Sequence, residues 1–150
     1  LDAQAAYDWI KAKIGGEKRL FIWGHSLGSS IAAKLASGNN PAALILEGAF
    51  PSMVEVARYR YPFAVIFPFM VFDKFETVEY LKLKHFPLLM LHSKADQVIP
   101  FAMGQSVYQT TSQPKEWIEI PNIGHSDFPS VADEYRVQIV DFVERSLTAR

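Results

Sequence analysis

The chain has 150 residues, no cysteine and a formal net charge of −1 at pH 7. Its hydrophobic content of 49% and charged content of 21% are those of a folded globular domain, so an intrinsically disordered segment is excluded. The near-neutral charge gives no basic surface for nucleic acid, and the lack of cysteine excludes disulfides and thiolate-bound metals. The four histidines show no metal-ligand spacing, so we expect neither a metal nor another cofactor.

The first two predicted elements are an amphipathic helix and a buried strand. Apolar side chains recur at helical spacing between residues 2 and 14, and the pair Gly15-Gly16 is expected to end this helix. Residues 20–23 form a short apolar run, which predicts a buried strand.

The stretch Gly24-His25-Ser26-Leu27-Gly28 joins this strand to a helix predicted over residues 29–37. A G-x-S-x-G pattern between a strand and a helix is typical of a nucleophile elbow, a tight turn that strains the serine backbone and exposes its hydroxyl. Both glycines are expected because side chains there would collide across the turn. Ser26 is therefore the predicted nucleophile, whereas His25 is expected to have a supporting or packing role.

Further along the chain, short apolar runs alternate with predicted helices. Residues 43–46 and 88–92 are continuously apolar or nearly so, which predicts parallel strands covered on both faces. Residues 117–120 alternate apolar and polar side chains, as a half-exposed edge strand does. The alternation of strands and helices predicts an α/β fold, with a mostly parallel sheet and flanking helices.

The last helix is predicted from about residue 130 to residue 147. Ser130 and Asp133 have the spacing of a capping box at its start. Asp127 is also expected to cap this helix.

A long connection separates the second and third predicted strands. It runs from residue 47 to residue 86, which is too long for one simple crossover, and its centre at residues 58–72 is rich in aromatic side chains and proline. Two compatible interpretations are extra helices that complete the core and a cap over the active site that supplies an apolar pocket. We expect a cap-like insertion at about residues 50–85.

Two more chemically useful residues follow predicted strands, Asp96 and His125. Because functional residues of α/β sheets gather beyond the carboxyl ends of the strands, we expect both beside Ser26. His125 would accept the serine proton and return it to the leaving group, and Asp96 would orient His125. The chain order Ser, Asp, His distinguishes this arrangement from the two other common orders of such residues.

Each of these assignments has an alternative. Asp96 has the position of a turn or helix cap before residues 98–100, and His125 is compatible with an ordinary loop residue. Glu47, after the second strand, is another candidate acid. Asp127 is a weaker candidate because it lies too close in sequence to His125.

Residues 24–28, 92–100 and 120–127 together resemble the α/β-hydrolase superfamily, and most closely its serine esterase and peptidase-like branch. The resemblance implies that Ser26, Asp96 and His125 are nucleophile, acid and base. It also implies that the backbone N–H of Leu27 is an oxyanion donor. Ser93 departs from the family, which usually has glycine there in a His-Gly-x-x-Asp pattern.

The resemblance also bears on the extent of the domain. The family fold has eight strands, and this chain contains what look like the last four. We therefore expect residues 1–150 to form a single α/β-hydrolase domain that lacks the N-terminal strands and the loop with the second oxyanion donor.

The leading functional hypothesis is a serine hydrolase that cleaves carboxylic esters of a small-molecule acyl substrate through an acyl-enzyme. Peptide or amide cleavage and acyl transfer use the same three residues and remain alternatives, as does a non-catalytic binding module. No nucleic-acid partner is expected. Membrane contact is expected only through a missing N-terminal part, so the compartment stays open between the cytoplasm and a membrane-anchored location.

Overall fold

The computed structural model describes residues 2–16, 19–61, 74–82 and 84–148. Helices and strands alternate along most of these ranges, which confirms the predicted α/β class. In chain order the elements are α1 (Asp2–Ile14), β1 (Phe21–His25), α2 (Leu27–Gly38), β2 (Ala43–Glu47), α3 (Met53–Arg60), α4 (Thr77–Leu81), β3 (Leu88–Ser93), α5 (Phe101–Thr110), β4 (Lys115–Ile120), a 3₁₀ helix (Phe128–Ser130) and α6 (Ala132–Thr148).

The four strands form one sheet in the order β1-β2-β3-β4, and every neighbouring pair is parallel. In register, Leu44 of β2 lies beside Ile22 of β1 and Leu88 of β3. Leu88 in turn lies beside Lys115 of β4. Because all strands run the same way, their carboxyl ends meet at one edge of the sheet, and the loops that follow β1, β3 and β4 gather there.

Two apolar layers cover the two faces of the sheet. On one face, side chains of β2 and β3 pack with α2, α4 and α5, through residues that include Leu46, Met90, Ala33, Leu81 and Val107. On the other face they pack with β4 and α6, through residues that include Ile45, Leu89, Ile118 and Phe142. All of β3 and nearly all of β2 is buried, as predicted for strands covered on both faces. The outer strand β4 alternates in burial, also as predicted.

Two apolar segments are less buried than the sequence predicts. Trp23 of β1 keeps 46% of its surface exposed, because β1 is the other outer strand of the sheet in the described ranges. Helix α1 buries Tyr7, whereas Ile10 and Ile14 stay exposed. The predicted burial of the first strand therefore holds for Ile22, whereas Trp23 on the other face of the strand stays exposed.

The start of the last helix also differs from the prediction. Helix α6 begins at Ala132, after the separate 3₁₀ helix. The Ser130 hydroxyl donates to the carbonyl of Asp127 at 2.6 Å, so the predicted capping box does not form. The Asp127 carboxylate accepts from the N–H of Gly124 at 3.0 Å instead of capping α6. A tight local turn competes successfully for both side chains.

The connection between β2 and β3 contains α3 and α4. Ser52 caps α3 by accepting a hydrogen bond from the N–H of Glu55 at 3.2 Å. Leu81 of α4 is fully buried in the core beneath α2. The centre of the aromatic stretch, residues 62–72, lies outside the described residues, so the cap over the site stays a prediction. None of the helices in the described ranges has the length and apolar character that crossing a bilayer requires.

Candidate active site

Ser26 lies in a strained turn between β1 and α2. Its φ of 53° and ψ of −123° place it in a region that non-glycine residues rarely adopt. Two backbone hydrogen bonds hold this turn. The Ser26 N–H donates to the carbonyl of Glu47 at 2.9 Å, and the Ser29 N–H donates to the carbonyl of Ser26 at 2.9 Å. These bonds tie the serine to β2 and to the first turn of α2, which offsets the strain.

The two glycines of the elbow differ in their steric role. A Cβ on Gly24 would lie 2.2 Å from the carbonyl oxygen of Gly28 and 2.6 Å from the Cβ of Ala32. Glycine is required there because α2 passes directly over the end of β1. A Cβ on Gly28 would meet no described atom within 4 Å apart from its chain neighbours and the nearby backbone of its own helix. The predicted collision therefore applies to Gly24 and is wrong for Gly28.

The structure brings the three predicted side chains together at the carboxyl edge of the sheet. His125 Nε2 lies 2.6 Å from the Ser26 hydroxyl oxygen, and His125 Nδ1 lies 2.6 Å from Asp96 Oδ2. A carboxylate only accepts, so Nδ1 carries the imidazole proton and Nε2 accepts from the serine. The side chains of His125 and Asp96 are 9% and 2% exposed, which limits competition from water. This arrangement can move the serine proton to His125.

Asp96 uses its two carboxylate oxygens for different purposes. Oδ1 accepts backbone hydrogen bonds from Val98 and Ile99, each at 2.8 Å. Oδ2 faces His125. Asp96 therefore caps its own turn and also contacts His125. The capping hydrogen bonds hold the carboxylate in the position that makes this contact.

The other candidate acids do not lie in this position. Glu47 Oε1 lies 3.7 Å from His25 Nε2. The Asp127 carboxylate accepts a hydrogen bond from the N–H of Gly124. Burial raises the pKa of the Glu47 carboxyl above its ordinary value, and the nearby charge of protonated His25 partly opposes this shift. Among the described residues, no group of three or more histidine or acidic side chains is arranged to hold a metal ion.

Leu27, the expected oxyanion donor, is the first residue of α2. The N–H groups in the first turn of a helix lack an intrahelical acceptor and lie at the positive end of the helix dipole. The backbone N–H of Leu27 therefore has the chemistry of an anion donor directly after Ser26.

Two residues lie beside His125 in ways that sequence reasoning did not identify. His25 Nε2 lies 2.9 Å from the His125 carbonyl, and this nitrogen must donate because a carbonyl only accepts. Gly48 has a φ of 57°, and a Cβ on it would lie 3.2 Å from His125 Cε1. In the sequence, the only signal for Gly48 was that a glycine follows the second strand. Its position beside His125 depends on how loops that are distant in sequence pack together.

Ser93, the departure from the family pattern, links the two loops of the site. Its hydroxyl donates to the carbonyl of Ile123 at 2.6 Å and accepts from the N–H of Ala95 at 3.1 Å. The loop that carries Asp96 is thereby tied to the loop that carries His125. A glycine at this position would lack that link.

No protein-family model matches the chain. The chain is 30% identical over 148 residues to an uncharacterized protein of Mycobacterium tuberculosis, covering 98% of the chain and 51% of that protein. It is 36% identical over 132 residues to the lysophosphatidylserine lipase ABHD12 of Danio rerio, covering 76% of the chain and 34% of the lipase. The chain thus spans about half the length of the first relative and about a third of the second.

The fold is shared with solved hydrolase structures. An acetyl xylan esterase from a Paenibacillus species superposes with a TM-score of 0.75 at 17% identity, covering 97% of the chain and 51% of the esterase. Other solved structures with this fold are described as α/β-hydrolase enzymes. With its parallel sheet and flanking helices, the chain has the fold of the α/β-hydrolases.

Proposed function

We propose that this chain carries the catalytic residues of a serine hydrolase that cleaves carboxylic esters through an acyl-enzyme. The observation that carries the proposal is the continuous row of hydrogen bonds from Ser26 through His125 to Asp96, built on a strained elbow. The esterase among the structural neighbours and the lipase among the relatives support hydrolysis as the reaction class.

In the first half-reaction, the Ser26 hydroxyl oxygen attacks the ester carbonyl carbon while its proton passes to His125 Nε2. Asp96 stabilises the imidazolium, and the N–H of Leu27 donates to the oxyanion. The carbon–oxygen bond of the ester then breaks, and the alcohol leaves with the proton from His125. In the second half-reaction, His125 takes a proton from water, and the resulting hydroxide attacks the acyl carbon. The bond from this carbon to the Ser26 oxygen then breaks, His125 returns the proton to Ser26, and the carboxylic acid is released.

As a substrate class we propose lipid esters with an apolar acyl chain. One relative is named a lysophosphatidylserine lipase, which supports this class. Two apolar side chains next to the site residues also support it, since Leu27 follows Ser26 and Val98 lies in the Asp96 turn, and both are exposed. An acyl chain that covers such side chains gains apolar contact.

Labelling and hydrolysis assays on the purified protein test the proposal. A fluorophosphonate probe is expected to label wild-type protein at Ser26, and Ser26→Ala is expected to lose labelling and several orders of magnitude of turnover. Ser37→Ala, at the far end of α2, is the matched control. The substrates are p-nitrophenyl esters of increasing chain length and a lysophosphatidylserine. A wild-type protein that neither reacts with the probe nor cleaves esters would instead favour the binding-module alternative.

A further inference from the structure

His92, at the end of β3, is a buried imidazole that the proposed reaction does not use. Its Nε2 lies 3.0 Å from the carbonyl oxygen of Ile99. Because a carbonyl only accepts, Nε2 carries the proton and donates. The same nitrogen lies 3.6 Å from Asp96 Oδ2, which is too far for a hydrogen bond but close enough for electrostatic attraction.

The ring of His92 is held in one orientation by its neighbours. Trp117 stacks on it with 6.2 Å between ring centroids, and Phe101 meets it edge-on at 5.7 Å. On the α5 side, a Cβ at Gly104 would lie 2.1 Å from His92 Nδ1. This Nδ1 is buried and has no hydrogen-bond partner among the described residues. Packing against these neighbours therefore fixes the orientation of the ring, and Nε2 donates to the Ile99 carbonyl.

Only the neutral ring fits this environment well. Protonation would place a second N–H at Nδ1 against Gly104, where the described part of the chain offers no acceptor. Burial accordingly lowers the pKa of His92, opposed by its hydrogen bond to Ile99 and by the charge of Asp96. Asp96 and His125 are the titratable groups whose charges act on His92.

Ile99 connects His92 to Asp96. The Ile99 carbonyl accepts from His92, and the Ile99 N–H donates to Asp96 Oδ1 at 2.8 Å. Ile99 is thus held from both sides of its backbone. With Oδ1 fixed in this way, Asp96 Oδ2 points to His125 Nδ1 at 2.6 Å.

Building on the proposed function, we propose that His92 is a positioning residue that sets the orientation of Asp96, and through it that of His125. Its donor acts on the turn that holds the carboxylate, and its ring is buried. Histidine suits this position because a flat ring fills the slot beside Gly104 while its far nitrogen reaches the Ile99 carbonyl.

The test compares His92→Phe, which fills the slot without a donor, with His92→Gln, whose amide N–H can reach the same carbonyl. His92→Phe is expected to lower kcat by about tenfold to a hundredfold with little change in KM, because the catalytic groups are misaligned. His92→Gln is expected to restore most of that loss. In an Asp96→Asn background, His92→Phe is expected to change kcat by less than about twofold, because His92 then has no carboxylate to position.

A measurement that needs no turnover separates this inference from the proposed function. The His125 Nδ1 proton, in its short hydrogen bond to Asp96, should give a downfield proton NMR resonance that His92→Gln keeps and His92→Phe shifts or loses. Melting curves verify that the variants fold. If His92→Phe does not fold, His92→Asn replaces it, because its shorter amide cannot reach Ile99.

An unchanged resonance with unchanged kcat in His92→Phe would overturn the inference, and so would equal losses of kcat in the two backgrounds. Full activity of Ser26→Ala would instead refute the proposed function. The resonance would still decide whether His92 positions Asp96 and His125.

Discussion

His25 donates a hydrogen bond from Nε2 to the backbone carbonyl of His125, and the centroids of the two imidazole rings lie 4.9 Å apart. The residue next to the proposed nucleophile thus holds the backbone of the proposed base. Because His25 adjoins Ser26 in one tight turn, this contact fixes the spacing between the Ser26 hydroxyl and the His125 ring. A G-x-S-x-G pattern does not by itself require such a contact.

Replacing His25 tests this contact. We expect His25→Phe, which keeps a flat ring but has no donor, to lower kcat by about fivefold, since one hydrogen bond contributes about 1 kcal/mol. His25→Gln places an N–H near the same carbonyl and is expected to retain most activity. Steady-state kinetics with a p-nitrophenyl ester measures both variants. Equal kcat values for His25→Phe and wild type would contradict the assignment.

The two candidate acids are separated by a pair of amide substitutions. Asp96→Asn is expected to lower kcat by about four orders of magnitude, because an amide favours the wrong tautomer of His125, the proposed base. Glu47→Gln is expected to change kcat by less than about tenfold, or about 1.4 kcal/mol, because Glu47 faces His25. Steady-state kinetics of the two variants decides which residue is the acid. The reverse ranking would assign this role to Glu47 of β2.

The two glycines of the elbow are expected to respond differently to alanine. Gly24→Ala forces a Cβ to within 2.2 Å of the Gly28 carbonyl and is expected to lower the free energy of unfolding by about 3 kcal/mol. Gly28→Ala meets no described atom and lies in a helix, so a gain of up to about 1 kcal/mol is expected. Urea denaturation measures both, and similar losses would show that the elbow needs both glycines.

Gly48 and Gly15 form a second matched pair, since both have a positive φ. Gly48→Ala and Gly15→Ala are each expected to lose about 1 kcal/mol of stability, because alanine is strained in this region. Gly48→Ala is also expected to lower kcat, because its Cβ would press on the His125 ring. Gly15→Ala, which has open space, should leave kcat unchanged. Equal kcat in the two variants would exclude a role for Gly48 beside His125.

The lowered pKa of His92 predicts a loss of stability in acid. Below the ordinary histidine value of 6.5, the unfolded chain binds a proton at His92 while the folded protein still resists it. Unfolding then takes up protons, so stability falls as the pH drops through this window. His92→Gln removes this contribution and is expected to lose less stability between about pH 7.5 and about pH 5.5. Urea midpoints at the two pH values test this, and parallel losses would contradict it.

Much of this architecture follows from the sequence alone, for reasons that are local. Continuous apolar runs predict the buried strands β2 and β3, because strands covered on both faces tolerate few polar side chains. Alternation in residues 117–120 predicts the outer strand β4. The elbow pattern and the order of Ser26, Asp96 and His125 select the candidate site, because useful side chains follow the carboxyl ends of parallel strands.

Other features depend on how distant segments pack, and only the tertiary structure decides them. Asp96 rather than Glu47 reaches His125 because the turn after β3 directs one carboxylate oxygen inward. Gly24 needs to be glycine because α2 crosses it, whereas Gly28 has space. His92 meets Ile99 and Gly104 through contacts between separate elements, and no local sequence pattern encodes such a meeting. These contacts depend on steric and electrostatic fit between the elements, which exists only after the chain has folded.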